Sequence, residues 1–219
     1  MHPDYIFPIP QVYIKSQEDI NEIQRHQNKT VEQRWKLYTI FKKNIKNHLL
    51  HEQKGRCMFC RRVIDESQSS AELEHLVPKS EYPQFDTLPE NLVLTCHNCN
   101  NKKGTQNPLA HLHPNRSRQT YPTQSGDFLM VYPYLDKYEQ HIDIDAAGLA
   151  VGLSQKGKVT ISWYNLNREM LVTRRHEDLE RETFSLPRQL MLKLCEADGK
   201  TRKSILAQIQ KIISDNTTA

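Results

Sequence analysis

The sequence predicts an α+β protein: a small strand–strand–helix module built on four cysteines, with helices before it and a strand-plus-helix extension after it. Three observations carry this. Two Cys-x-x-Cys pairs, Cys57/Cys60 and Cys96/Cys99, bracket residues 61–95, 35 in all. An apolar stripe at steps of three and four (Val31, Trp35, Tyr38, Phe41, Ile45, Leu49) leads the chain into the first pair. After residue 128, apolar residues alternate with a period of two before helical spacing returns. The resulting division is 1–54 for an N-terminal arm and helices, 55–107 for the cysteine module and 108–219 for the extension.

In chain order, residues 1–16 are Pro-rich and extended. Ser16 caps a polar helix over 17–28, and Thr30 caps a single stronger helix that ends near Gly55. The aromatics of that helix, Trp35 and Phe41 among them, are read as core packing rather than as base-stacking groups. Residues 65–71 form a polar loop. Leu73 to Val77 is a strand stopped by Pro78, Asn91 to Thr95 a second strand, and a helix starts at Cys99 or Asn100. Residues 108–126 are loop-like and carry His111, His113, Arg116 and Arg118. Strands follow at Phe128–Tyr132, 142–145, 149–153 and 159–163, with Gly148 and Gly157 in the turns between the last three. Asn167 caps a helix to about Glu182 whose arginines, Arg168 included, form a solvated charged face. Further helices cover 186–195 and 201–213, the latter with an Ile205/Ile209/Ile212/Ile213 stripe, and the last residues fray. Asp143 and Asp145 are turn and sheet-edge residues rather than metal ligands.

Composition narrows the class. The 219 residues carry a formal charge of +4 and only 37% hydrophobic residues, so part of one apolar stripe, in the 31–49 helix or the C-terminal helices, is expected to stay exposed for a partner. The pI near 8.7 suits a nucleic-acid partner without requiring one. No apolar run approaches the roughly 18 residues of a membrane span, and Met1-His2-Pro3-Asp4 does not open a signal peptide, which together point to the cytoplasm. Five cysteines fit that compartment poorly as disulfides. Four fall in the two pairs; Cys195, alone in an apolar run, is read as a small buried hydrophobe.

Thiolates from two Cys-x-x-Cys knuckles make a closed tetrahedral site, which holds Zn²⁺ structurally and leaves no position open for catalysis. The insert between the knuckles carries the other chemistry. Glu74 and His75 are strand neighbours, so their side chains point to opposite faces. A carboxylate suits a hard cation, and an imidazole of ordinary basicity can take a proton from water near neutrality. Asn100 directly follows a knuckle cysteine, where its amide oxygen could complete a cation site with Glu74. Lys102 and Lys103 add positive charge beside it.

Those residues resemble the HNH endonucleases of the zinc-bearing ββα-metal subtype. Glu74-His75, Asn91 and Asn100 fall on that family's motif in order, and Cys96-x-x-Cys99-Asn100-x-x-Lys103-Gly104 is similar to its zinc-bearing helix. The wider pattern, including Glu74-His75-x-x-Pro78-Lys79 and Leu166-Asn167-Arg168, resembles the HNH subunit of Septu- and retron-type bacterial anti-phage systems, which pair with an ATPase. One departure is the glutamate at 74, where the family often has aspartate. The resemblance implies a metal-dependent endonuclease acting on DNA or RNA. Glu74 and Asn100 would bind one catalytic Mg²⁺ or Mn²⁺, with His75 as general base. Asn91 would hold the hairpin loop and orient His75, and Lys103 would contact phosphate. The competing reading is a zinc-stabilised nucleic-acid- or protein-binding module without cleavage activity; it needs the cysteines but none of Glu74, His75 and Asn100.

Overall fold

The computed structural model describes residues 8–64, 71–109, 120–177, 193–194 and 197–217. The expectations for residues 1–7, the loop at 65–70, His111, His113, Arg116, Arg118, most of the 186–195 helix and Cys195 lie outside these. The chain divides into two compact units, Met1–Asp145 with Ala150–Arg168, and Ala146–Leu149 with Glu169–Ala219.

The first unit opens with α1 (Gln17–His26), started by a capping box in which Ser16 and Asp19 exchange side-chain and backbone bonds. Thr30 and Gln33 form a second capping box at α2 (Val31–Leu37). The single helix expected over 31–49 is broken: α2 stops at Tyr38, which is extended (ψ 96), and α3 (Ile40–Glu52) starts afresh. A carboxylate from α1 explains the break. The Glu22 Oε1 atom accepts from the Thr39 N–H (2.9 Å), the Thr39 hydroxyl (3.0 Å) and the Ile40 N–H (3.0 Å), and Oε2 accepts from the Phe41 N–H (2.9 Å). These are the unpaired donors of a helix start, and a negative charge there also suits the helix dipole. Most of the apolar stripe is nevertheless buried: Tyr38, Phe41, Ile45 and Leu49 are core residues, and Val31 and Trp35 are half-buried. The expected exposed stripe is therefore absent here, and only Leu37 and Ile40, off the stripe, are exposed.

Burial raises the Glu22 carboxyl, but the N–H groups of Phe41, Ile40 and Thr39 outweigh it and hold the group below its ordinary value. A folded-state value below the unfolded one gives stability that is present above the ordinary glutamate value, about 4.3, and lost as pH falls below it. Glu22→Gln should therefore destabilise the protein by about 2 kcal/mol at neutral pH. The gap between the two thermal midpoints should close on acidification; a gap that persists at acid pH would exclude charge as its source.

The nuclear element is β1 (Ala71–His75) paired antiparallel with β2 (Leu92–Cys96), His75 lying opposite Leu92, followed at once by α4 (His97–Lys103). The strand–strand–helix order matches the expectation, with the helix starting two residues before Cys99. Asn91 ends a short 3-10 turn ahead of β2 rather than lying in the strand. The segment borrows bonds from outside itself. The buried Gln53 amide donates to Leu94 O (2.8 Å) and Arg56 O (2.9 Å) and accepts from Leu94 N (2.8 Å). Tyr132 OH donates to Glu90 O (2.9 Å), and Tyr134 OH to Pro89 O (2.9 Å) and Leu92 O (2.6 Å).

Downstream, Phe128–Tyr132 is not a strand. Its amides bond elsewhere: Leu129 N to Pro108 O (2.9 Å), Val131 N to Thr160 Oγ1 (2.9 Å) and Tyr132 N to Asp136 Oδ2 (2.7 Å). A short hairpin, β3 (Ile142–Ile144) with β4 (Ala150–Gly152), keeps two of the expected strands. The third is helical. In α5 (Gln155–Trp163), Ser154 accepts from Gly157 N and caps the start. The buried positions are Gly157, Thr160 and Tyr164, at steps of three and four, whereas the alternating Val159, Ile161 and Trp163 are only half-buried. Gly157 is required by close approach, since a Cβ there would sit 1.8 Å from His141 O. Asn167 caps nothing: its amide accepts from Ala150 N (2.7 Å) and donates to Ala150 O (2.9 Å), clamping β4.

In the second unit, residues 169–177 are helical (α6) and α7 spans Gly199–Thr217. Gly148 has φ +81, and a Cβ there would lie 2.7 Å from Val172 O, so glycine is needed. Ile205 is buried on α7 and Leu206 exposed. No described helix is long and apolar enough to cross a membrane.

Candidate active site and metal centre

Each Cys-x-x-Cys pair sits where the backbone turns sharply. Cys57 N–H donates to Arg62 O (2.8 Å) and Arg61 N–H to Cys57 O (3.0 Å), with Arg61 at φ 60. The second pair spans the end of β2 and the first turn of α4. All four cysteines are buried and free, and their sulfurs lie within 4.8 Å of one another, Cys60 and Cys96 at 3.7 Å. A tetrahedron of thiolates about 2.3 Å from a zinc ion has sulfurs about 3.8 Å apart, so this cluster fits a zinc site. Hydrogen bonding among the four sulfurs lowers the Cys60 and Cys96 thiols, while burial raises Cys57 and Cys99 is raised as well, so the four sulfurs share protons among themselves. The guanidinium of Arg168 lies 3.8 Å from Cys99 Sγ and donates to Tyr164 O (3.2 Å) and Asn165 O (3.1 Å). Arg168 therefore faces the sulfur cluster rather than a solvated helix face, and Tyr164 stacks on Phe59 between the first two cysteines (3.7 Å).

His75, at the end of β1, is buried. Its Nε2 donates to Asp86 O (2.9 Å), and Nδ1 has no hydrogen bond from a described residue. The acceptor is held in turn: Arg34 of α2 pairs with the Asp86 carboxylate (2.6 Å) and donates to Pro83 O (2.5 Å). Beside Arg34, Trp35 packs its ring 4.4 Å from the imidazole. Trp35 is thus half-buried against His75, not in the core. Burial, then the nearby Lys79 ammonium, lowers His75 to about 3, so the imidazole is neutral at physiological pH.

Glu74 faces α4. Its Oε1 pairs with Lys103 Nζ (2.8 Å), which also donates to His75 O (2.7 Å). Lys103 is 1% exposed, so as it stands it holds the carboxylate and the strand end rather than presenting its charge to a phosphate. Burial raises the Glu74 carboxyl and the Lys103 ammonium opposes it. Asn100, one turn earlier on α4, donates through Nδ2 to Glu72, two residues before Glu74 on the same face of β1. Glu72 also accepts from His97 (2.7 Å). Asn100 Oδ1 and Glu74 Oε2 accept no hydrogen bond from a described residue. Both are oxygens of the kind a hard cation takes as ligands. Asn91 is fully buried and ties the connection between the strands: Oδ1 accepts from Val77 N (2.7 Å) and Nδ2 donates to Val77 O and Phe85 O (both 3.0 Å).

Sequence reasoning missed Glu72, Arg34, Asp86 and Arg168. Glu72 had a signal in the period-two spacing with Glu74. Arg34 and Asp86 had none, because their pairing depends on where α2 meets the strand connection.

Two antiparallel strands and a helix, a sulfur cluster at the base and a neutral histidine next to a buried carboxylate lie together in one short stretch of the chain. Residues 57–106 match the family described as HNH endonuclease. Two curated relatives extend the likeness. A Septu protein PtuB of Bacillus thuringiensis is 30% identical over 124 residues, covering 57% of this chain and 41% of the relative. A Septu protein PtuA of Bacillus mycoides (strain KBAB4) is 24% identical over 136 residues, covering 55% of this chain and 19% of the relative. The chain thus spans less than half the length of either.

Proposed function

We propose that this chain is the nuclease of a Septu-type anti-phage complex, hydrolysing phosphodiester bonds of DNA or RNA with the help of an ATPase partner subunit. The observation that carries the reading is the state of His75: neutral, fixed through Nε2 by Asp86 O, and with Nδ1 left to accept a proton. In this reading Nδ1 takes a proton from water as the water oxygen bonds to phosphorus. The phosphorus–oxygen bond opposite then breaks, and the departing oxygen is protonated. Glu74 and Asn100 would hold Mg²⁺ or Mn²⁺, which would supply positive charge to the phosphoryl and leaving oxygens. Cys57, Cys60, Cys96 and Cys99 would hold Zn²⁺, fixing α4 and hence Asn100. Asn91 and Arg34 keep the loop that aims the imidazole, and Lys103 steadies Glu74. A binding module without cleavage would need the sulfur cluster alone.

The test is a panel of single- and double-stranded DNA and RNA incubated with Mg²⁺, Mn²⁺ or EDTA, with and without the co-expressed ATPase. Cleavage that requires the cation is expected. No cleavage under any cation with the partner present would overturn the reading.

A further inference from the structure

With Lys103 engaged by Glu74, the positive charge nearest the face of His75 comes from elsewhere. Lys42 of α3 places its Nζ 5.6 Å from the centroid of the Trp35 ring, and Lys79, just past β1, places its own 5.9 Å from the same centroid. The ring itself lies 4.4 Å from the His75 imidazole. Both lysines are half-buried, and among the described residues neither makes an ion pair or a hydrogen bond. The π face attracts each ammonium; the nearest carboxylates in their field, Glu22 for Lys42 and Glu74 for Lys79, are already bound, Glu22 by the amides that start α3 and Glu74 by Lys103. Two ammonium groups held on a ring beside the imidazole, with no ion pair of their own, suit an anion that approaches that ring.

We propose that Lys42 and Lys79, mounted on Trp35, form a subsite for a backbone phosphate of the nucleic acid next to the one that is cut. The proposal rests on the nuclease reading above. Ammonium groups are compact point charges that bind phosphate oxygens without reading base identity, so the contact is independent of sequence. Trp35 is a platform rather than a base-stacking group, because its neighbours are already the two lysines and the imidazole. The subsite joins α2 and α3 to the catalytic segment and gives the N-terminal helices a direct part in holding the substrate.

The test uses the full zinc-loaded chain without added Mg²⁺ or Mn²⁺, so that binding is read without cleavage and the four-thiolate site is kept, and labelled single- and double-stranded DNA and RNA oligonucleotides. Each phosphate contact contributes about 0.7–0.9 to the slope of log affinity against log salt concentration. Lys42→Gln and Lys79→Gln should each lower that slope by about this amount, the double variant by about twice it. Lys42→Arg and Lys79→Arg should keep it, and unchanged thermal midpoints would show that the variants fold. With cation restored, the glutamine variants should raise KM more than they lower kcat. Unchanged salt slopes in a protein that still cleaves would overturn the subsite while leaving the nuclease reading intact, as would losses confined to partner binding. A wild-type chain that neither binds nor cleaves any of these substrates would overturn both.

Discussion

His75→Ala should slow cleavage by about 10²–10⁴-fold, with nucleic-acid affinity close to that of the wild type. The loss belongs to the transition state, because the imidazole accepts its proton only as water attacks. Its lone pair at Nδ1 makes no ground-state bond that the variant would forfeit, and its Nε2 bond to Asp86 O is one of several that hold the loop. The fall should therefore appear in kcat with KM nearly constant. Circular dichroism should show the fold retained, since the Asn91 clamp and the Arg34–Asp86 pair remain. A variant that cleaves within threefold of wild type would remove His75 from the chemistry.

Cys57→Ser or Cys96→Ser should do more, and to the whole domain. Both sulfurs are buried in the cluster, and the second knuckle sets where α4 begins. Apparent free energies for structural zinc are about 10–16 kcal/mol in small zinc-folded peptides, against a net stability of roughly 5–15 kcal/mol for a typical domain. Elemental analysis should find about one zinc per wild-type chain, consistent with a single four-thiolate site, and much less in the variants, which should be poorly soluble. Metal-free protein with an unchanged near-UV spectrum would refute a structural metal.

What could be read from the residues alone was whatever depends on near neighbours. The cysteine spacing, the order of two strands and a helix, and the capping boxes at Ser16 and Thr30 all lie within short windows. What could not be read depended on a partner far away in sequence. Nothing in residues 31–49 forbids one helix; Glu22 breaks it from outside. Lys103 looks like a surface cation until Glu74 is brought beneath it, and Trp35 looks like core until α2 is laid against His75. In α5 the error was one of period: a buried threonine and glycine carry the helical face, so the apolar residues that remain happen to alternate.

The loans made to the strand pair by Gln53, Tyr132 and Tyr134 bear on how portable this nuclease is. A cassette cut at residues 57–106, the borders of the family match, would leave the Leu94 amide and carbonyl and the carbonyls of Pro89, Glu90 and Leu92 without these donors and acceptors. It would also lack Arg34, on which the aim of His75 depends, and Arg168 beside the sulfurs. Grafting the activity onto another scaffold therefore calls for the stretch from Ser16 to Arg168, about three times what the motif suggests.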